Sequence, residues 1–148
     1  MQCLPTILLA DDDDGHAFLT EQNLRSAGVT SPVIRFSDGQ EVLDFLFGNE
    51  SGHCLKPNER YLLLLDIRMP KVDGLDVLRQ VKNDPALHSL PVVMLTTTDD
   101  PRDIQRCHDF GCNVYIQKPV DYDRFAAAVT KVGEFIHLLK VPQVHPRA

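Results

Sequence analysis

The chain has no excess of positive charge. Its 15 lysines and arginines are outnumbered by 21 aspartates and glutamates, for a formal net charge of −6 over 148 residues. Nonspecific nucleic-acid binding needs a basic face, so that class of partner is not expected. No apolar run approaches the roughly 20 residues that cross a bilayer. The N-terminus has no basic segment leading into an apolar core, so no secretion signal is read there. These absences predict a cytoplasmic chain without a membrane partner. The four cysteines, Cys3, Cys54, Cys107 and Cys112, match no zinc spacing and fit reduced thiols. The six histidines, His16, His53, His88, His108, His137 and His145, form no metal-binding pair and read as surface residues.

What is present is ordinary for one folded unit. Hydrophobic residues make up 43% and charged residues 24%. The length suits a single domain with a sizeable core. Strand and helix patterns alternate five times. Thr6 to Ala10 reads as a strand. A helix follows from about His16 to Ala27, with Ala17, Leu24 and Ala27 on one side and Gly28 as its stop. Val33 to Phe36 is a second strand, and Asp38-Gly39 opens a helix carrying Val42, Leu43 and Leu46. The run Tyr61-Leu62-Leu63-Leu64-Leu65 is a third strand, and its helix carries Leu75, Leu78 and Val81. Pro91 to Leu95 is the fourth strand. Asp100 caps the next helix, with Pro101 in its first turn, Ile104 and Cys107 facing inward, and Gly111 at its end. The fifth strand reaches Gln117. Asp121 caps a last helix, on which Phe125, Ala128, Val129, Val132, Phe135, Ile136 and Leu139 recur at helical spacing. Alternating strand and helix units predict a parallel sheet covered on both faces.

The chemistry sits where the strands end. The third strand stops abruptly at Asp66, followed by Ile67-Arg68-Met69-Pro70 and then Asp73-Gly74. The first runs into Asp11-Asp12, the fourth into Thr96, and the fifth into Lys118-Pro119. Acids, a hydroxyl and an amine at the carboxyl ends of parallel strands converge on one crevice, where open α/β sheets bind ligands. Such a set suits phosphoryl transfer, and the prediction is a phosphorylatable aspartate at position 66. Four acids stand in a row from Asp11 to Asp14. Asp13 or Asp14 would cap the helix.

Over about residues 5 to 140 the chain resembles the receiver domains of two-component response regulators. Asp66 to Thr96 is 96 − 66 = 30 residues and Thr96 to Lys118 is 118 − 96 = 22, both as in that family. The resemblance implies a flavodoxin-like, doubly wound sheet of five parallel strands in the order 2-1-3-4-5. It makes Asp66 the phosphoacceptor and Thr96 the switch hydroxyl. It also implies that Asp11 and Asp12 are the magnesium-binding pair, with Asp12-Asp13 as the alternative. Lys118 matches the phosphate-site lysine, joined to Pro119 by a cis peptide, and Tyr115 the rotating aromatic. The carbonyl of Arg68 would complete the set around Mg²⁺, for which Mn²⁺ could substitute. Thr97, larger than the alanine or glycine many receivers carry there, would flank the phosphoryl group. Arg68 and Thr98 would tune its hydrolysis. Such a protein accepts its phosphoryl group from a sensor histidine kinase and catalyses its own phosphorylation and dephosphorylation, without being an enzyme in the usual sense.

Two features depart from a minimal receiver. Residues 48–58 (GNESGHCLKPN) lengthen the connection before the third strand, and Leu139-Lys140-Val141-Pro142 extends the last helix. With the LTTT run they resemble single-domain regulators paired with phytochrome-type kinases, bacteriophytochromes among them, although an ordinary insertion and a frayed tail explain them equally. Residues 141–148 read as a tail with no output domain. Output would then pass through a surface. A homodimer is expected, through the face of the fourth helix, fifth strand and fifth helix or through the C-terminal extension. Two other classes remain open: a phosphatase of the haloacid dehalogenase type, which also uses strand-end acids, and a pseudo-receiver scaffold that has lost phosphorylation. The second would lack an acid, the threonine or the lysine, and none is missing.

Overall fold

The computed structural model describes residues 5–48, 55, 59–96, 100–117 and 122–138. Strands and helices alternate: β1 (Thr6–Ala10), α1 (Asp14–Ser26), β2 (Val33–Phe36), α2 (Gly39–Leu46), β3 (Tyr61–Leu65), α3 (Gly74–Asn83), β4 (Val92–Thr96), α4 (Pro101–Asp109), β5 (Val114–Gln117) and α5 (Tyr122–Leu138). The strands are parallel and lie in the order β2-β1-β3-β4-β5. The expected doubly wound architecture is therefore the observed one.

Aspartate starts four of the helices. Asp13, Asp38, Asp73 and Asp100 stand at the N-caps of α1, α2, α3 and α4, and their carboxylates accept the backbone N–H of His16, Glu41, Asp76 and Arg102. Each such cap is worth about 1 kcal/mol. Three helices hand over to glycine in the left-handed region: Gly28 (φ 87°) after α1, Gly48 (φ 71°) after α2 and Gly111 (φ 92°) after α4. The first helix begins at Asp14, two residues before its apolar pattern does, because the Asp13 cap satisfies an additional turn. The residues Asp121, Leu139 and Val141 lie outside the described part, as do the side chains of Phe125, Phe135 and Ile136.

Alternation along the strands divides the apolar side chains between two cores. Leu8, Ala10, Leu63, Leu65, Val92 and Met94 pack with α2, α3 and Cys107 of α4. Ile7, Leu9, Leu62, Leu64, Val93 and Leu95 pack with Ala17 and Leu24 of α1 and with Val129 and Val132 of α5. The central strand β3 is buried along its whole length, which is why it reads as an unbroken leucine run. On α4 the buried positions are Asp103 and Cys107, one turn apart, and Ile104 is only half-buried. The helix is thus turned by about one residue from the orientation that Ile104 and Cys107 alone predict.

Candidate functional site

The register of the sheet brings two strand ends side by side. Ala10 of β1 pairs with Leu65 of β3, so the next residues, Asp11 and Asp66, leave the same edge together. Their backbones are fixed there. The Asp66 N–H donates to the carbonyl of Ala10 at 3.0 Å, and the Asp11 N–H donates to that of Phe36 at 3.1 Å. Asp11 and Asp66 are nearly buried, at 2% and 7% exposure, and Asp12 is exposed. One carboxylate oxygen from each of Asp11, Asp12 and Asp66 lies within 4.8 Å of the others. Asp13 is used otherwise, as the cap of α1, and its own N–H donates to Asp11 Oδ1 at 3.0 Å.

The remaining predicted residues divide between described and undescribed positions. The backbone of Thr96 ends β4 beside Gln117, on the same carboxyl edge of the sheet. Its side chain and the residues Thr97, Thr98, Lys118 and Pro119, with the expected cis peptide, lie outside the described part. Tyr115 stands on β5 opposite Met94, half-buried against the core that α3 and α4 cover.

The loop between β3 and α3 is built around close backbone approaches. A Cβ on Gly74 would fall 2.0 Å from the carbonyl oxygen of Asp66, and one on Gly39 would fall 1.8 Å from that of Val72. Both helices therefore press a bare backbone against the loop that leaves Asp66. Within it, the Val72 N–H donates to the Pro70 carbonyl at 2.8 Å across Lys71, which holds φ 69°. That is a three-residue turn of the rare, strained hand. The Lys71 ammonium lies 3.5 Å from the cap carboxylate Asp38. The side chain of Arg68 turns to α4, where Nη2 meets Asp103 Oδ2 at 3.1 Å.

Arg35 and Asp103 also shape the site, and neither belongs to the strand-end set. Arg35 of β2 donates from Nη2 to the Asp11 carbonyl at 3.0 Å and pairs through Nη1 with Asp14. A lone cation inside the apolar strand Val33-Ile34-Arg35-Phe36 was the available signal. Asp103 is nearly buried on α4, and its spacing of four from Cys107 marks it as facing inward.

Three carboxylates gathered on one edge repel one another, and a cation relieves that repulsion. Their donor atoms are all oxygen, the set that suits Mg²⁺, Mn²⁺ or Ca²⁺ rather than a softer metal. The residues present fit a hard divalent ion. No helix among the described residues is long and apolar enough to cross a membrane.

Known proteins share this fold. The chain is 46% identical to a response regulator receiver domain from Rhodospirillum rubrum, with a TM-score of 0.87 over 94% of this chain and 98% of that one. It is similar to the Mn²⁺-bound form of response regulator Rcp1, a Synechocystis protein, at 28% identity and a TM-score of 0.86, over 94% and 99% of the two chains. It is also similar to the phosphorylated cyanobacterial phytochrome response regulator RcpA, at 29% identity and a TM-score of 0.85, over 95% and 100%. Residues 7–130 match the family of response regulator receiver domains. The chain belongs to that family.

Proposed function

We propose that this receiver accepts a phosphoryl group on Asp66 from a sensor histidine kinase and signals through a surface that phosphorylation reshapes. The observation that carries the reading is the meeting of the Asp11, Asp12 and Asp66 carboxylates at the end of β1 and β3. An Asp66 oxygen forms the new P–O bond as the N–P bond of phosphohistidine breaks, and the imidazole leaves with a proton. Asp12, Asp66 and the Arg68 carbonyl would hold Mg²⁺ or Mn²⁺, with Asp11 holding metal-bound water. When bound, the ion neutralises the charge that keeps a carboxylate and a phosphoryl group apart. Lys118 and the hydroxyls of Thr96 and Thr97 would donate to the phosphoryl oxygens, which act through position and charge. The use of Asp13 as a helix cap supports Asp11-Asp12 over Asp12-Asp13 as the metal pair.

For the switch, the Thr96 hydroxyl gains a charge-assisted hydrogen bond only in the phosphorylated state, and Tyr115 fills the space it vacates. The likeness to Rcp1 and RcpA supports metal dependence and a phytochrome-type kinase as the partner. We further propose a homodimer through the face of α4, β5 and α5. An apolar cleft of about 210 Å³ between β5 and α5, lined by Val93, Val114, Ile116, Lys131 and Val132, supports an apolar contact on the β5 and α5 part of that face. The receiver unit would span residues 5–140, with 141–148 as a tail.

Transfer from a phosphorylated histidine kinase tests the reading. Asp66→Asn should abolish it, because an amide cannot form the acyl phosphate. Undiminished transfer to that variant would move the acceptor elsewhere, and turnover of exogenous phosphate esters would favour a phosphatase. Sedimentation at micromolar concentration tests the dimer: a purely monomeric species contradicts it.

A further inference from the structure

Arg35 makes two contacts, and neither engages a carboxylate of the Asp11, Asp12 and Asp66 set. Nη2 donates to the backbone carbonyl of Asp11 at 3.0 Å, and Nη1 pairs with Asp14, the first residue of α1. The N–H of the same Asp11 donates to Phe36, the next residue of β2. One peptide-length stretch of β2 thus grips Asp11 from both sides, by a backbone bond and by a guanidinium. The grip costs something. Arg35 Nε is buried with no hydrogen-bond partner among the described residues, a loss of about 1–3 kcal/mol for a buried donor. A solvated surface cation would avoid that cost.

We infer that Arg35 is a positioning residue for the cation site: it sets the path of the four-acid loop so that Asp11 and Asp12 face Asp66. The inference rests on the proposed metal role of those acids. Four consecutive aspartates repel one another along the chain, and the loop would spread them toward solvent unless something held it. Arg35 holds its backbone at Asp11 and its far end at Asp14, and so opposes that spreading from outside the ligand set. Its forked guanidinium reaches a carbonyl and a carboxylate together, which a single ammonium cannot do.

The sign of the effect separates positioning from charge. Removing a cation near a divalent-metal site should tighten metal binding if only the repulsion between the two positive charges mattered. Positioning predicts the reverse. The measurement is a Mn²⁺ titration of the full chain, followed by the electron paramagnetic resonance signal of the free ion. Arg35→Ala should weaken Mn²⁺ binding about tenfold, the low end for loss of a residue that orients metal ligands. Arg35→Lys keeps the charge and should weaken binding less. Arg25→Ala serves as the control, because Arg25 pairs with Glu21 on α1 and staples the Val29 and Ser31 carbonyls after it, none of them among the four acids, and should leave affinity unchanged. In metal-free protein, the amides of Asp11 and Asp13 should exchange faster in Arg35→Ala and not in Arg25→Ala. Unchanged affinity in both Arg35 variants, or tighter binding by Arg35→Ala, would overturn the inference. A wild-type protein that binds no Mn²⁺ would overturn the metal reading itself, and the amide exchange would still decide whether Arg35 orders the loop.

Discussion

Nη2 of Arg68 lies 3.1 Å from Oδ2 of Asp103, tying the loop that leaves Asp66 to the first turn of α4. The pair is asymmetric: the Asp103 side chain is 10% exposed and that of Arg68 69%. Solvent screens the exposed partner, so the coupling should be modest, about 0.5–1 kcal/mol. A double-mutant cycle with Arg68→Ala and Asp103→Asn, read by urea denaturation, measures it. The coupling should shrink as salt is raised.

Gly74 should tolerate no side chain. A Cβ there would lie 2.0 Å from the Asp66 carbonyl oxygen, a backbone atom that cannot step aside without moving the acceptor. Gly74→Ala should cost at least about 2 kcal/mol, within the range for overpacking. Gly48 provides the contrast. It has φ 71° with open space around it, so Gly48→Ala should cost only about 1 kcal/mol of backbone strain. Thermal denaturation of the two variants should separate them in that order.

Burial pushes the Cys107 thiol from 9.0 up to about 12, with Cys112 and Asp103 adding to the effect. Because the folded value lies above the unfolded one, this contribution to stability is complete below about pH 9 and is lost as pH rises toward 12. Cys107→Ala should therefore show a shallower fall of stability above pH 9 than the wild-type chain, in denaturation series at increasing pH. The same burial should protect Cys107 from alkylation at about pH 8 in the folded protein. Peptide mapping after brief exposure to an alkylating reagent reads that directly.

Much of this molecule is legible in its sequence, because its elements obey local rules. Apolar runs of strand length, aspartate caps and glycine stops mark the alternation without reference to tertiary contacts. Asp66 stands out because an unbroken leucine strand ends on a charge. The missed features depend on distant partners. Whether Arg35 meets Asp11 is decided by the register of β2 against β1. Asp103 faces inward by its spacing from Cys107, but its ion-pair partner Arg68 lies 35 residues away in the chain. Asp73-Gly74 reads as a turn and a cap, but the close approach that demands glycine involves the backbone of Asp66. The start of α1 lies two residues before its apolar spacing begins, because capping determines its first turn.

The central claim is that Asp66 accepts a phosphoryl group with help from a divalent cation. Its most direct test is to phosphorylate the chain with a small-molecule phosphodonor, reduce the acyl phosphate with borohydride, and locate the modified residue by mass spectrometry. The account predicts modification of Asp66 in the presence of Mg²⁺, and almost none with a chelator or in the Asp66→Asn protein. Modification of another residue, or equal labelling of Asp66 with and without the metal, would contradict it.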